Sequence, residues 1–161
     1  MPQSYAWRMA ASSDAEPRRS WRPRWTAVAR VALLPYLIAL ALIVFLPARE
    51  AGRVTGIVGW AADLVSAWFG VPREPLAIVF EFCANIALFV PLGVLLALAA
   101  PQWSPLAVIG LGCLVSVGIE LVQLGIPSRM STVSDVVANT TGAALGFLVV
   151  ALAGTRAATS G

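Results

Sequence analysis

Four long apolar runs divide this chain, and polar side chains recur inside three of them at helical spacing. The runs cover residues 26–46, 76–99, 106–126 and 134–153. Each has about the 20 residues that a helix needs to cross a hydrocarbon core of roughly 30 Å. Glu81 and Asn85 are four residues apart; Ser116, Glu120 and Gln123 follow at intervals of four and three; Asp135 and Asn139 are again four apart. Each set falls along one face of its helix. A charged side chain near mid-bilayer costs roughly 2.5–3.5 kcal/mol, so these faces are predicted to meet protein rather than lipid.

A fifth apolar stretch, residues 57–69, is too short to cross. Ile57, Trp60, Ala61, Leu64 and Trp68 share one face of its helical wheel, with Asp63 and Ser66 opposite. That pattern predicts a helix lying in the interface with its tryptophans at headgroup depth; a lid over a membrane site is the alternative. Residues 1–25 read as a disordered, Arg-rich tail with Trp21 and Trp25 as interfacial anchors. The first run exceeds the h-region of a signal peptide and is expected to be an uncleaved anchor, bent near Pro35. Pro91 predicts a second bend, and Glu74 and Pro75 suit a helix start. Thr132 and Asp135 form a T-x-x-D capping signature, and Gly142 and Gly146 a G-x-x-x-G pair that admits a close neighbour. The expected fold is all-α: an integral membrane four-helix bundle over residues 26–153, with an interfacial helix and a short tail from 154.

Composition adds the membrane class independently. Charged residues are only 12% of the chain and the mean hydropathy is +0.83, whereas a soluble domain carries about 25% charged residues. The net charge of +3 is no nucleic-acid signature, because six arginines gather before and at the start of the first run: Arg8, Arg18, Arg19, Arg22, Arg24 and Arg30. By the positive-inside rule they place the N-terminus in the cytoplasm, and four spans return the C-terminus there. The chain is thus expected in the cell membrane as a multi-pass protein. Spans two and four then start outside and span three ends outside. Glu81 and Asn85, Glu120 and Gln123, and Asp135 and Asn139 all come to lie within about 14 Å of the outer ends of their spans. The inner halves, Pro91–Ala99 and Leu106–Val115, carry no polar relay.

That shared depth turns scattered polar residues into a candidate site. Glu81, Glu120 and Asp135 are the acid–base candidates; Asn85, Ser116, Gln123, Arg129 and Asn139 are the binding candidates. Arg129, in the loop between spans three and four, can fork onto a carboxylate or an anionic ligand. Three anions beside one cation require a protonated carboxyl, water or a cation in the site. Without His, hard oxygen ligands would favour a magnesium- or calcium-like ion, but no close-spaced ligand loop supports one, and no metal or cofactor is expected. Cys83 and Cys113 lie in apolar runs outside any C-x-x-C pattern and read as small buried hydrophobes. Taken singly, Asp135 is also a plain cap, and the amides are also interhelical glue.

Glu81-x-x-x-Asn85-x-x-Leu88-Phe89-x-Pro91-x-Gly93, then Ser116-x-x-Ile119-Glu120-x-x-Gln123, then Arg129 and Asp135-x-x-x-Asn139-x-x-Gly142 resemble the VanZ-like family, in order and across three helices, over about residues 76–146. The resemblance implies a small multi-helix bacterial membrane protein, and a link to low-level resistance against teicoplanin, a lipid-bearing glycopeptide. It names no reaction. Three function classes stay open: a site that binds, shields or acts on a cell-envelope amphiphile, such as a lipid-linked wall precursor or a lipoglycopeptide; a non-catalytic structural protein whose polar cluster stabilises packing; and a proton or ion conductor, which the apolar inner halves disfavour. The expected partner is membrane lipid or a lipid-linked envelope compound, with no nucleic acid; the oligomeric state is left open.

Overall fold

A computed structural model describes residues 23–45, 56–125 and 132–159. Five helices make up nearly all of them: α1 (Pro23–Phe45), α2 (Gly56–Phe69), α3 (Arg73–Ala99), α4 (Pro105–Gln123) and α5 (Val133–Thr159). Among the described residues there is no strand. Four helices are long and apolar enough to cross a membrane, and α2 is not. The chain is therefore an all-α, multi-pass membrane protein. The Arg-rich tail through Arg22, with Trp21, and the loop residue Arg129 lie outside the described residues.

Helix boundaries differ from the expected ones by a few residues, and α5 runs on to Thr159, through most of the stretch from 154 that was expected to be a tail. Trp25 belongs to α1, where the Arg24 guanidinium lies 5.6 Å above its ring, instead of closing a tail. Ser104 caps α4 by accepting the Ala107 N–H at 3.2 Å, with Pro105 at the first helical position. Helix α2 ends at Gly70, whose φ of 66° is the left-handed C-terminal conformation that glycine adopts without strain. Helical backbone runs through both Pro35 and Pro91. In the turn that Pro91 disturbs, the Tyr36 hydroxyl donates to the Leu88 carbonyl.

The bundle is built around α3, which packs most extensively on α5 and also touches α1, α2 and α4. Close approach of backbones explains why α3 and α5 pair so well. A Cβ on Gly146 would collide with the Val90 carbonyl and stand 2.7 Å from the Val94 nitrogen; one on Gly142 would collide with the Ile86 carbonyl. Contacts step by four residues in the same direction along both helices, so α3 and α5 run parallel. Ala143, fully buried, presses its backbone against Gly93 of α3 and its methyl group against Gly112 of α4. Three helices meet at that one small residue. In lipid, which offers no hydrophobic drive for association, such close van der Waals packing is a main source of stability. Phe89, Leu92 and Val108 fill the core beside it, and Leu40 brings α1 against it.

Helix α1 is held more sparsely: Ala29 and Leu40 are its buried residues. Side chains fasten it to backbone carbonyls. Arg30 Nε donates to Ala99 O at 3.0 Å, Tyr36 to Leu88 O, and Gln123 Nε2 of α4 donates to Val44 O at 3.1 Å. Arg30 thereby serves the last turn of α3, whose carbonyls have no helical partner, and Gln123 a carbonyl at the end of α1.

Replacing Gly146 with valine should force α3 and α5 apart and destabilise the protein by about 1–3 kcal/mol or more, the cost of overpacking. Gly110→Ala, where an added Cβ meets nothing within 4 Å, should be neutral or stabilising by up to about 1 kcal/mol through helix propensity. Thermal unfolding in detergent separates the two; equal stability of both variants would show that the crossing tolerates a side chain.

Candidate functional site

The α4–α5 junction is where buried polar groups concentrate. Thr132 caps α5 as its T-x-x-D signature predicts: its hydroxyl accepts the Asp135 N–H at 3.3 Å and donates to Asp135 Oδ2 at 2.9 Å. The Thr132 N–H in turn donates to Glu120 Oε2 at 3.2 Å. Both carboxylates thus sit at the positive end of the α5 dipole, which favours negative charge. Glu120 is 7% exposed. Asn85 of α3 donates to Asp135 Oδ1 at 2.7 Å, so α3 joins the same junction.

One turn further into the bundle, Asn139 Nδ2 donates to Ser116 Oγ at 2.9 Å, with Ser116 fully buried and Asn139 5% exposed. This bond and the Gly112–Ala143 contact are successive rungs: each step of four residues backward along α4 is a step of four forward along α5. Those two helices are therefore antiparallel. Gln123, 7% exposed, reaches across to α1. Next to Asn139, the Thr140 hydroxyl is buried with no hydrogen-bond partner among the described residues.

Seven of the eight candidate residues are therefore on described backbone, and six of them (Asn85, Ser116, Glu120, Gln123, Asp135 and Asn139) lie at one end of the bundle in interhelical hydrogen bonds. Glu81 is placed differently. It is exposed, and no hydrogen bond or ion pair ties it to a described residue. The reason is geometric. Asn85 bonds to Asp135, the third residue of α5, so Glu81, four residues and about 6 Å earlier on α3, lies about 3 Å beyond the point where α5 begins. It lies at the margin of the cluster rather than within it. Arg129 belongs to the connection between α4 and α5, outside the described residues.

Among the described residues, no three Asp, Glu or Cys side chains converge as metal ligands would. Cys83 and Cys113 are both free thiols, Cys83 exposed on α3 instead of buried as expected. Sequence reading missed Thr132 as the residue that joins the two acids, and Arg30 and Tyr36 as fasteners of α1. An arginine inside the apolar run and a tyrosine beside Pro35 were the available signals.

A double-mutant cycle on Ser116→Ala and Asn139→Ala, read by unfolding in detergent, should give a coupling near 0.6 kcal/mol and below about 1.7 kcal/mol, the range of interhelical hydrogen bonds in membranes. Zero coupling would mean that this bond holds nothing.

No curated protein and no solved structure matches the chain. The family model described as VanZ/LLP1 matches residues 33–154, from within α1 to the last turns of α5, and its span takes in every candidate site residue. The chain belongs to the VanZ/LLP1 family.

Proposed function

We propose that this protein presents a polar site at the outer leaflet of the cell membrane, that the site binds or acts on a cell-envelope amphiphile, and that it thereby contributes to resistance against teicoplanin-type lipoglycopeptides. The observation that carries the reading is the placement of Glu120: a buried carboxylate at the positive end of α5, with Gln123 and Asn139 beside it and apolar helix halves below. Orientation comes from the arginines before and within the start of α1, which put both termini in the cytoplasm and the α4–α5 junction outside. Glu120 and Asp135 supply acid–base or hydrogen-bonding groups, Glu81 marks the outer rim, and Arg129 meets an anionic group of the ligand. An amphiphile fits such a one-ended site because its headgroup can reach the polar residues while its tail stays in lipid. Conduction is disfavoured, since Pro91–Ala99 and Leu106–Val115 offer no relay.

One observation favours a second reading, a purely structural cluster. The amide N–H groups of Asn85, Gln123 and Asn139 are engaged by Asp135, Val44 and Ser116, as interhelical glue would be.

Glu120→Gln and Arg129→Ala, expressed in a teicoplanin-sensitive host beside the unaltered chain, distinguish the readings. The proposal expects each variant to abolish any gain in teicoplanin tolerance at unchanged protein level. A full phenotype in both variants, or a loss that tracks lowered abundance, would assign the cluster to packing.

A further inference from the structure

Helix α2 has three distinct sides, and only one environment satisfies all of them. Ala62 is fully buried, with Val58 and Val65 half-buried around it, and this side packs on the protein. Ile57, Trp60, Leu64 and Trp68 form a second side at intervals of three, four and four; they are exposed, Ile57 by 72%, Trp60 by 64% and Trp68 by 77%. Gly59, Asp63 and Ser66 make the third side. Arg73, the first residue of α3, lies across it: its guanidinium pairs with Asp63 and would stand 3.7 Å from a Cβ on Gly59. Both members of that pair are more than half exposed, as charges in contact with water should be.

An apolar side turned away from the protein and a charged side turned to water need lipid and water at once. The occupant is also constrained by the chain. Three residues, 70–72, join α2 to α3 and span at most about 10 Å. Helix α3 has 27 residues, about 40 Å, more than the roughly 30 Å of hydrocarbon that it crosses. Its first turn, and α2 with it, must stand at the membrane boundary.

The geometry points to α2 as a membrane-surface anchor whose Ile57–Trp60–Leu64–Trp68 side is seated in the headgroup–acyl boundary of the leaflet at the polar end. Locked to α3 through Arg73, Asp63 and the Gly70 turn, it fixes the depth of α3. Glu81 then lies about 12 Å below the start of α3, at the upper edge of the hydrocarbon. The occupant is lipid, and the inference holds whichever function the polar cluster serves.

Spin labels test it on the full chain with Cys83 and Cys113 replaced by serine, in phosphatidylcholine–phosphatidylglycerol vesicles. Labels on Trp60→Cys and Leu64→Cys should collide several-fold more with oxygen than with a water-soluble nickel chelate, and a label on Asp63→Cys should show the reverse. Positions 60 and 64 as open to nickel as 63 would overturn the inference, because α2 would then stand clear of the bilayer. Protection of both from both reagents would also overturn it, since a second copy or another protein would then cover the face. A second measurement keeps both native cysteines: brominated lipid should quench the native chain more than a Trp60→Phe, Trp68→Phe variant. Equal fractional quenching would count against the anchor.

Discussion

Everything at the polar end depends on one close contact deep in the bundle. Ala143 touches Gly93 through its backbone and Gly112 through its methyl group, so α3, α4 and α5 approach without intervening side chains. A membrane interior rewards this kind of fit, because lipid is as apolar as the side chains it would replace. The contact also sets register. One helical turn from Gly112 and Ala143 stand Ser116 and Asn139, in the same rung order; a turn beyond, Glu120 faces the start of α5. Slide α4 by one residue and those partners separate together.

The same register gives each acid its surroundings. Glu120 is buried because it lies one rung beyond Ser116 and Asn139, level with the first turn of α5, where the N–H of Thr132 meets it. Asp135 is half-buried because it lies in the first turn of that helix, bonded to its cap Thr132, and accepts from Asn85. Glu81 belongs to the same sequence pattern but stands just beyond the start of α5 and is exposed. Three carboxylates that look equivalent along the chain thus occupy three environments.

Much of this was legible in the sequence. Four spans follow from the lengths of the apolar runs alone, and the polar end follows from the intervals of Asn85, Ser116, Glu120, Gln123, Asp135 and Asn139. The G-x-x-x-G pair announced the close crossing of α5, and T-x-x-D announced its cap. Periodicity could not show that Glu81 lies outside the cover of α5, because a shared helical face says nothing about where the neighbouring helix starts. Nor could it show that Gly93 and Gly112 serve the same alanine, since that pairing joins three segments far apart in sequence. The fastening of α1 was hidden for a different reason: a backbone carbonyl has no letter in the sequence.

That last point bears on how the protein can change over time. Arg30, Tyr36 and Gln123 each bind a carbonyl, of Ala99, Leu88 and Val44 respectively, and every amino acid supplies a carbonyl. One partner in each pair is therefore free to mutate without breaking the bond, provided that the helix keeps its path. Only the three donors need to be retained to keep these bonds, and no compensating pair of substitutions is required for them. The outward positions of α1, among them Val31, Leu34, Ile38 and Leu42, can drift in sequence while Leu33, Leu37 and Leu40 keep the helix packed in the same place.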